Sequence, residues 1–282
     1  VSWTLVQSVK FLPVAGYSGG QPVTLSATAA GNLLVVEVGQ DQRVGTVAVS
    51  DNKTQSYGTG VTITSSSGAQ HAIFWVKTVA GVTQVTVTPS AFSATYFVVN
   101  EWQPPAGYAN PAFDVGHALQ NTDNTSPCLT GTTAAISDVT DLLLCIFSND
   151  IGITGNITFS TPTGYTPDQS GQYLGVNGGF VASYYNLTPS AGAQQASVTT
   201  TPASTGRCMG MIAAFKVTAS ASPVGAGQLG VTLADGSSPV LSIPSGSSAD
   251  GVIENILARG GFFDASGAFH PIAQVKSFTR GS

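Results

Sequence analysis

Few side chains in this sequence stand at spacings that could do chemistry. Gly16-Tyr17-Ser18-Gly19-Gly20 fits G-x-S-x-G, the pattern in which a serine on a sharp strand-to-helix turn is lifted out as a nucleophile. Pro22-Val23-Thr24-Leu25 follows it, a strand-forming run and not a helix, so the segment reads as a Gly-rich turn. Asp114 and His117 lie three apart and could form an acid–base pair, yet the sequence places no nucleophile or second base beside them. His71 stands before a strand-like run and His270 before Pro271. Histidines isolated from Asp, Glu and Cys at ligand spacing argue against zinc and read as loop or core residues. Asp123-Asn124, with Asn121 and Thr122, gathers oxygen donors of the kind calcium takes. The regular acidic spacing of a calcium hand is missing, and a turn held by side-chain-to-backbone bonds is the simpler reading. The expectation is no catalytic residue, no cofactor and no metal; neither a triad nor a suitably placed carboxylate pair supports an esterase or glycosidase.

Aromatic and sulfur-bearing residues offer binding or cross-linking instead. Trp75, Trp102, Tyr184 and Tyr185 lie at or near strand positions and could stack on sugar rings, although core packing is the commoner use of such residues. Trp102, after Glu101 at the end of a unit, is the one expected to be exposed. Cys128, Cys145 and Cys208 make neither an even disulfide framework nor a metal spacing. They read as buried small hydrophobes, with a Cys145–Cys208 bridge between neighbouring strands as the alternative. Asn52, Asn124, Asn156 and Asn186 begin N-x-S/T triplets, which matter only if the chain is secreted by a eukaryote.

The elements that would position these groups are strands. Only 8% of the 282 residues are charged, against about 25% in an average soluble domain. With 33 Gly and 15 Pro punctuating β-branched runs, this composition points to an all-β class with a surface of hydroxyls and backbone. Net charge is −5 and the basic residues are scattered singly, so no stripe exists to follow a phosphate backbone and nucleic acid is not an expected partner. No apolar run reaches the ~18 residues that would span a bilayer, so no membrane partner is expected and the chain reads as soluble. The start at Val1 leaves open either removal of a leader or a valine-coded start codon.

Gly31-Asn32-Leu33-Leu34-Val35-Val36-Glu37-Val38 is a continuous apolar run that predicts a strand buried on both faces. A second version returns as Asp141-Leu142-Leu143-Leu144-Cys145-Ile146-Phe147, and other runs recur in the same order at an offset of roughly 110 residues. Val47-Ala48-Val49-Ser50 aligns with Ile157-Thr158-Phe159-Ser160, Trp75 with Tyr184 or Tyr185, Val85 to Thr88 with Ala196 to Thr199, and Val98-Val99 with Ile212-Ala213. Together they predict two tandem β-sandwich units, residues 1–112 and 113–218, followed by a tail over 219–282. Gln103 to Thr133 reads as the connection plus an incoming strand, and residues 219–223 as a linker. In the tail, Leu229, Val231 and Leu233 alternate up to Asp235-Gly236, with Val240 to Ile243 returning as a hairpin. Asp250 can cap a short helix with Val252, Ile253, Ile256 and Leu257 on one face, stopped by Gly260-Gly261. Phe262-Phe263, the turn Asp264 to Gly267, and Phe269 through Phe278 predict a last hairpin. So small a segment is expected to need a docking partner to complete a core.

At G-N-L-L-V-V-E-V, A-I-F-W-V-K-T-V-A-G-V-T-Q-V-T-V-T and F-V-V-N-E-W, followed by D-L-L-L-C-I-F and M-I-A-A-F-K-V, the chain resembles phage and prophage jelly-roll proteins. These include capsid-decoration (cement) proteins, head fibres and tail fibres of tailed phages. The resemblance covers about residues 20–217 and brings no catalytic residues. It implies two jelly-roll-like sandwiches with a small C-terminal α+β tail segment, and a non-enzymatic protein on the outer surface of a virion. The partners implied are virion subunits, meaning the major capsid protein or neighbouring structural proteins, and further copies of the chain in a symmetric homo-oligomer such as a trimer. The alternative is a head- or tail-fibre adhesin that binds host surface glycan. Trp102, Phe262, Phe263 and Phe269 are the residues expected to touch a partner or glycan.

Overall fold

The alternation of β-branched residues with Gly and Pro turns is realised as strands almost throughout. The computed structural model describes residues 2–12, 16–40, 45–121, 126–136, 140–149, 158–174, 180–201, 208–219, 228–242, 249–264 and 268–280. The chain divides into two compact units, Val1–Pro105 with Asn110–Val217, and Ala106–Ala109 with Thr218–Ser282.

The first half of the larger unit runs β1 (Thr4–Phe11), β2 (Gln21–Thr24), β3 (Leu33–Gln40), β4 (Val47–Asp51), β5 (Gly58–Thr64), β6 (Gln70–Lys77), β7 (Gln84–Pro89) and β8 (Thr95–Gln103). A five-stranded sheet in the order β1-β8-β3-β6-β5 faces a three-stranded sheet in the order β2-β7-β4. That is the jelly-roll order, with β5 attached to β6. Between the sheets lies a core of Val23, Leu34, Val36, Val38, Phe74, Val85, Val87, Phe97 and Val99, among others. The turn into β3 uses Gly31 at φ +86°, a backbone state that a side chain disfavours.

The second half runs β9 (Tyr108–Gln120), β10 (Cys128–Leu129), β11 (Ala135–Ile136), β12 (Leu142–Asn149), β13 (Thr158–Phe159), β14 (Thr166–Leu174), β15 (Phe180–Asn186), β16 (Gly192–Ala193), β17 (Ser197–Val198), β18 (Thr200–Thr201) and β19 (Cys208–Ala219). Its five-stranded sheet, β9-β19-β12-β15-β14, repeats the first one strand for strand, and the short ladders β10–β17 and β13–β18 stand where β2-β7-β4 stood. Register makes the equivalence exact to the residue. Val36 lies between Val99 and Phe74, and Cys145 between Ile212 and Tyr184. Val99 therefore matches Ile212, one residue from the pairing expected from sequence, and Trp75 matches Tyr185. The slip matters because one residue exchanges the two faces of a strand. Gln103 to Thr133, expected as a connection plus an incoming strand, contains β9 and the short β10, while Thr122 to Thr125, Ile157 and residues 220–223 lie outside the described residues.

The cysteine pairing differs from expectation. Cys128 and Cys208 form a disulfide with their Cα atoms 6.0 Å apart, and Cys145 is free and buried. A Cys145–Cys208 bridge is ruled out by register, since β19 sets Ile212 opposite Cys145 and Cys208 opposite Asn149. Four residues along a strand separate the thiols by roughly 13 Å, well beyond disulfide reach.

The smaller unit contains β20 (Gln228–Leu233), β21 (Val240–Ser242), helix α1 (Ala249–Arg259), β22 (Gly261–Phe263), β23 (Phe269–Pro271), a 3-10 turn over Ile272–Gln274, and β24 (Val275–Arg280). The hairpin around Asp235-Gly236 forms as predicted, and β24 returns to pair with β20 instead of extending the last hairpin. Asp250 lies in the first turn of α1, and Gly260, at φ +71°, follows its end. Ile256 is buried and Val252 and Ile253 are partly buried, but Leu257 is 54% exposed and off the packed face. This unit encloses a core of its own, built from Leu229, Val231, Leu233, Ile256 and Phe262 with Leu241, Val275 and Phe278 around it. The expectation that it lacks one is corrected: the helix covers the sheet and supplies the missing layer.

Candidate functional site

Every residue of β3 from Leu33 to Gln40 is buried because both of its faces are covered. Leu34, Val36 and Val38 enter the first sandwich core. Leu33, Val35 and Glu37 point the other way, toward the five-stranded sheet of the second half, where β12 and β15 lie against β3. β12 behaves alike: Cys145 and Phe147 enter the second core, leaving Leu142, Leu144, Ile146 and Ser148 for the seam between the two sheets.

Two ring contacts tie this seam, Trp75 to Phe215 at 6.2 Å and Trp102 to Tyr185 at 5.0 Å between centroids. Leu33 pairs with Trp102 and Leu142 with Phe215, so Trp102 and Phe215 are equivalent, as are Trp75 and Tyr185. Each contact is thus the image of the other, and the two halves meet as the subunits of a symmetric dimer would. Trp3 adds a bond from Nε1 to the Thr140 carbonyl at 2.8 Å.

Polar residues break that symmetry. Glu37, His71, Asn100, Ser148 and Ser183 are all buried. Ser148 Oγ lies 2.7 Å from His71 Nδ1. Among the described residues, neither Glu37 carboxylate oxygen, nor His71 Nε2, nor either amide atom of Asn100, nor Trp102 Nε1 has a hydrogen-bond partner. Burial pushes the Glu37 carboxyl up to about 8; the neighbouring Ser183 hydroxyl opposes this without reaching bonding geometry, and Asp168 adds to it. Burial holds His71 down at about 3. The Cys145 thiol, on the core side of β12, is raised by its own burial and by Glu37. At neutral pH the seam therefore holds a protonated Glu37 and an uncharged His71, which is how an apolar interface tolerates them. Glu101, also buried, is surrounded by donors. It accepts bonds from Gln7 Nε2 at 2.6 Å, Asn32 Nδ2 at 2.6 Å and the Ala29 amide at 3.1 Å.

Serine, histidine and glutamate are the residue types of a hydrolase triad, but this set has no route to one. All three are fully buried, and among the described residues no carboxylate orients the second ring nitrogen of His71. The arrangement can titrate; it cannot reach a substrate.

The residues singled out from sequence are dispersed. Trp102 is fully buried in the seam, which corrects the expectation that it is exposed: the face of β8 that would meet solvent in a lone sandwich is covered by the second sheet. Trp75 and Tyr185 belong to the same seam, and Tyr184 to the second core. Asp114 pairs with Lys216 at 2.6 Å and His117 Nδ1 lies 3.2 Å from the Thr130 carbonyl oxygen, so they form no dyad. Ser18 is exposed and is followed by β2, without the helix a nucleophile elbow needs. Asp123 and Asn124 lie outside the described residues, and the described residues contain no group of three or more His, Cys, Asp or Glu able to hold a metal. Phe262 is buried and stacks on His270 at 5.1 Å. Phe263 and Phe269 are 66% and 50% exposed and form a tilted ring pair at 5.0 Å. His270 Nε2 lies 2.8 Å from Asp264 Oδ2, whose other oxygen accepts the Ala268 amide at 3.0 Å, so the hairpin carrying the ring pair is tied at its end. Glu37 is not among the residues singled out from sequence, although a carboxylate inside an otherwise apolar run is a visible signal.

No family model matches the chain, and no curated protein matches it. Among solved structures it is similar to a chain from Eubacterium rectale described as a secreted protein, at 15% identity over 74% of each chain and a TM-score of 0.21. A score of that size bears on neither fold nor function. No helix among the described residues is long and apolar enough to cross a membrane.

Proposed function

We propose that the protein is a non-enzymatic structural protein of a phage virion surface, a capsid-decoration protein that binds and stabilises assembled capsid subunits. The observation that carries this reading is the exposed Phe263–Phe269 pair. Trp3, Trp102, Tyr96, Phe97, Phe147 and Phe215 in the larger unit are buried and Phe92 there is 49% exposed, while Phe263 and Phe269 stand in solvent as a ring pair on a short, tied hairpin. Exposed aromatic rings on a rigid support are the usual anchors of a protein interface. With 8% charged residues the contacts would depend little on ionic strength. Copies of the chain arranged with the capsid symmetry would each bridge several subunits, and stabilisation would grow with the number bridged.

The test is cosedimentation of the full chain with empty capsids, together with the capsid melting temperature. Wild type should bind and raise it. Phe263→Ser/Phe269→Ser should lose binding at least tenfold with its own melting temperature unchanged, because both rings are already solvent-exposed. Binding to host cells or polysaccharide in place of capsids would replace this reading with the fibre adhesin.

A further inference from the structure

We propose that the second sandwich is closed by a redox clasp, so that the chain reaches its final stability only in oxidising surroundings. The inference does not rest on the virion reading. It rests on how differently the two sandwiches hold their outer layers. In the first, β7 pairs with β2 from Gln21–Val87 to Thr24–Gln84 and with β4 from Val47–Pro89 to Asp51–Val85, giving one continuous sheet. In the second, the outer layer among the described residues consists of ladders of two residue pairs each, Cys128–Val198 with Leu129–Ser197, Ala135–Ala193 with Ile136–Gly192, and Thr158–Thr201 with Phe159–Thr200, the first two joined by backbone bonds from the Thr130 amide to the Ala196 carbonyl at 3.0 Å and from the Thr133 amide to the Gln194 carbonyl at 2.9 Å. Ladders this short supply little cooperative hydrogen bonding.

The disulfide starts from one of these short ladders. Cys128 belongs to the outer strand β10 and Cys208 to the inner strand β19, so the bond crosses the sandwich and joins its two layers. Asn121 brackets it: its Nδ2 donates to the carbonyls of Leu129 at 2.9 Å and Cys208 at 3.2 Å, and its Oδ1 accepts the Leu129 amide at 3.0 Å. In the first sandwich the position matching Cys208 is Thr95, since Gln40 faces Thr95 as Asn149 faces Cys208. There Thr95 makes hydrogen bonds only: Tyr17 Oη donates to its carbonyl at 2.9 Å and, within the five-stranded sheet, Gln40 Nε2 donates to its Oγ1 at 3.2 Å. Cys128 and Cys208 are 80 residues apart, so the link removes much of the freedom of the unfolded chain.

Closure needs an oxidant, here a small-molecule disulfide. The Cys128 thiolate attacks one sulfur of it and expels the other as a thiolate. The Cys208 thiolate then attacks Cys128 Sγ and expels the second. Two protein thiols are oxidised, one external disulfide is reduced to two thiols, and each proton lost from a cysteine passes to a departing thiolate. Both cysteines are buried, so the clasp closes before or during assembly of the sandwich and resists reductant until that sandwich opens. Such a bond persists outside the cell or in an oxidising compartment and not in a reducing cytosol.

The experiment uses the full chain folded in a glutathione redox buffer. Thiol titration under denaturing conditions should find one free thiol, and peptide mapping should locate it on Cys145. Chain unfolded in reductant and refolded in the reduced state should melt roughly 5–15 °C below the oxidised chain. Cys145→Ala should keep that response, and Cys128→Ala/Cys208→Ala should melt like the reduced wild type and ignore reductant. Should the double variant fail to fold, the reduced and oxidised wild type still decide the matter. Three free thiols, a bridge that includes Cys145, or one melting temperature for chains shown to be oxidised and reduced would each overturn the proposal.

Discussion

The two sandwiches share one strand order and differ in what closes them. The first relies on a continuous outer sheet with a packed aliphatic core, and the second, among the described residues, on short ladders, a disulfide and the bracketing Asn121. A fold can thus keep its topology while exchanging backbone hydrogen bonds for covalent constraint. The seam adds a second contrast. Its ring contacts obey the symmetry between the halves, but its polar groups do not, because Glu37 is matched by Ile146 and Ile73 by Ser183. Two copies of the first half meeting in the same way would bury Glu37 against Ile73, without the hydroxyl that Ser183 supplies. The polar set therefore favours pairing of unlike halves.

Truncating the seam should have the largest effect. Trp102→Ala is expected to destabilise the larger unit by about 3–5 kcal/mol, the range for a fully buried aromatic residue, and Phe215→Ala, its equivalent, by a similar amount. Chemical denaturation measures both. A cost below about 1 kcal/mol for either would mean that the seam is not a core and that the symmetry between the halves is only formal.

The next effect separates the halves by charge. Glu37 keeps its proton up to about 8 in the folded protein, against an ordinary 4.5, so between these values the folded state holds the extra proton and rising pH favours unfolding. His71 charges only near 3 when folded, against 6.5, so falling pH favours unfolding below 6.5. The two slopes cancel between 4.5 and 6.5, and stability falls away on either side. Glu37→Gln should flatten the alkaline side, altering the difference from wild type by roughly 2–4 kcal/mol between pH 5 and pH 9. His71→Asn should flatten the acid side only. Unfolding followed across that pH range would contradict the assignment if Glu37→Gln kept the alkaline slope.

A smaller effect tests the outer layers. Register matches Phe97 to Gly210, so the first sandwich places a ring where the second has no side chain. A Cβ at 210 would collide with the Leu129 carbonyl oxygen and lie 3.0 Å from Thr130 Cα, because the strand carrying Cys128 runs close over β19 there. Gly210→Ala should cost about 1–3 kcal/mol and weaken the second sandwich selectively. If it melts like wild type, the close approach of the two layers at the clasp is wrong.

Several features were legible without coordinates because short-range pattern encodes them. Val85 and Val87 alternate with Thr86 and Thr88, and that alternation is the burial pattern of β7. Asp235-Gly236 marks its hairpin, and Gly260 its helix end. The burial of Trp102 is not legible locally, because a residue closing a lone sandwich would meet solvent and nothing nearby in sequence announces a second sheet on that face. Cysteine pairing escaped for a related reason: the spacing of Cys145 and Cys208 from their strand ends carries no information on which residues of β12 and β19 stand opposite. Leu257 shows the limit of helical periodicity, since it shares the apolar stripe of Ile253 and Ile256 yet lies beyond the edge of what the small sheet covers.

The sequence by itself determined the class, the run of strands and the doubling, because composition and period-two patterning act within a few residues of each position. It also determined that Leu33 to Val38 would be buried on both faces, since a continuous apolar strand has no side to offer water. Only the tertiary structure decided what covers the second face. Pairing of the two five-stranded sheets turned Glu37 and His71 into desolvated, mutually unlike titrating groups, and strand register decided which two of three thiols could meet. Both outcomes depend on residues far apart in the chain being brought within a few ångströms, a distance that local pattern does not encode.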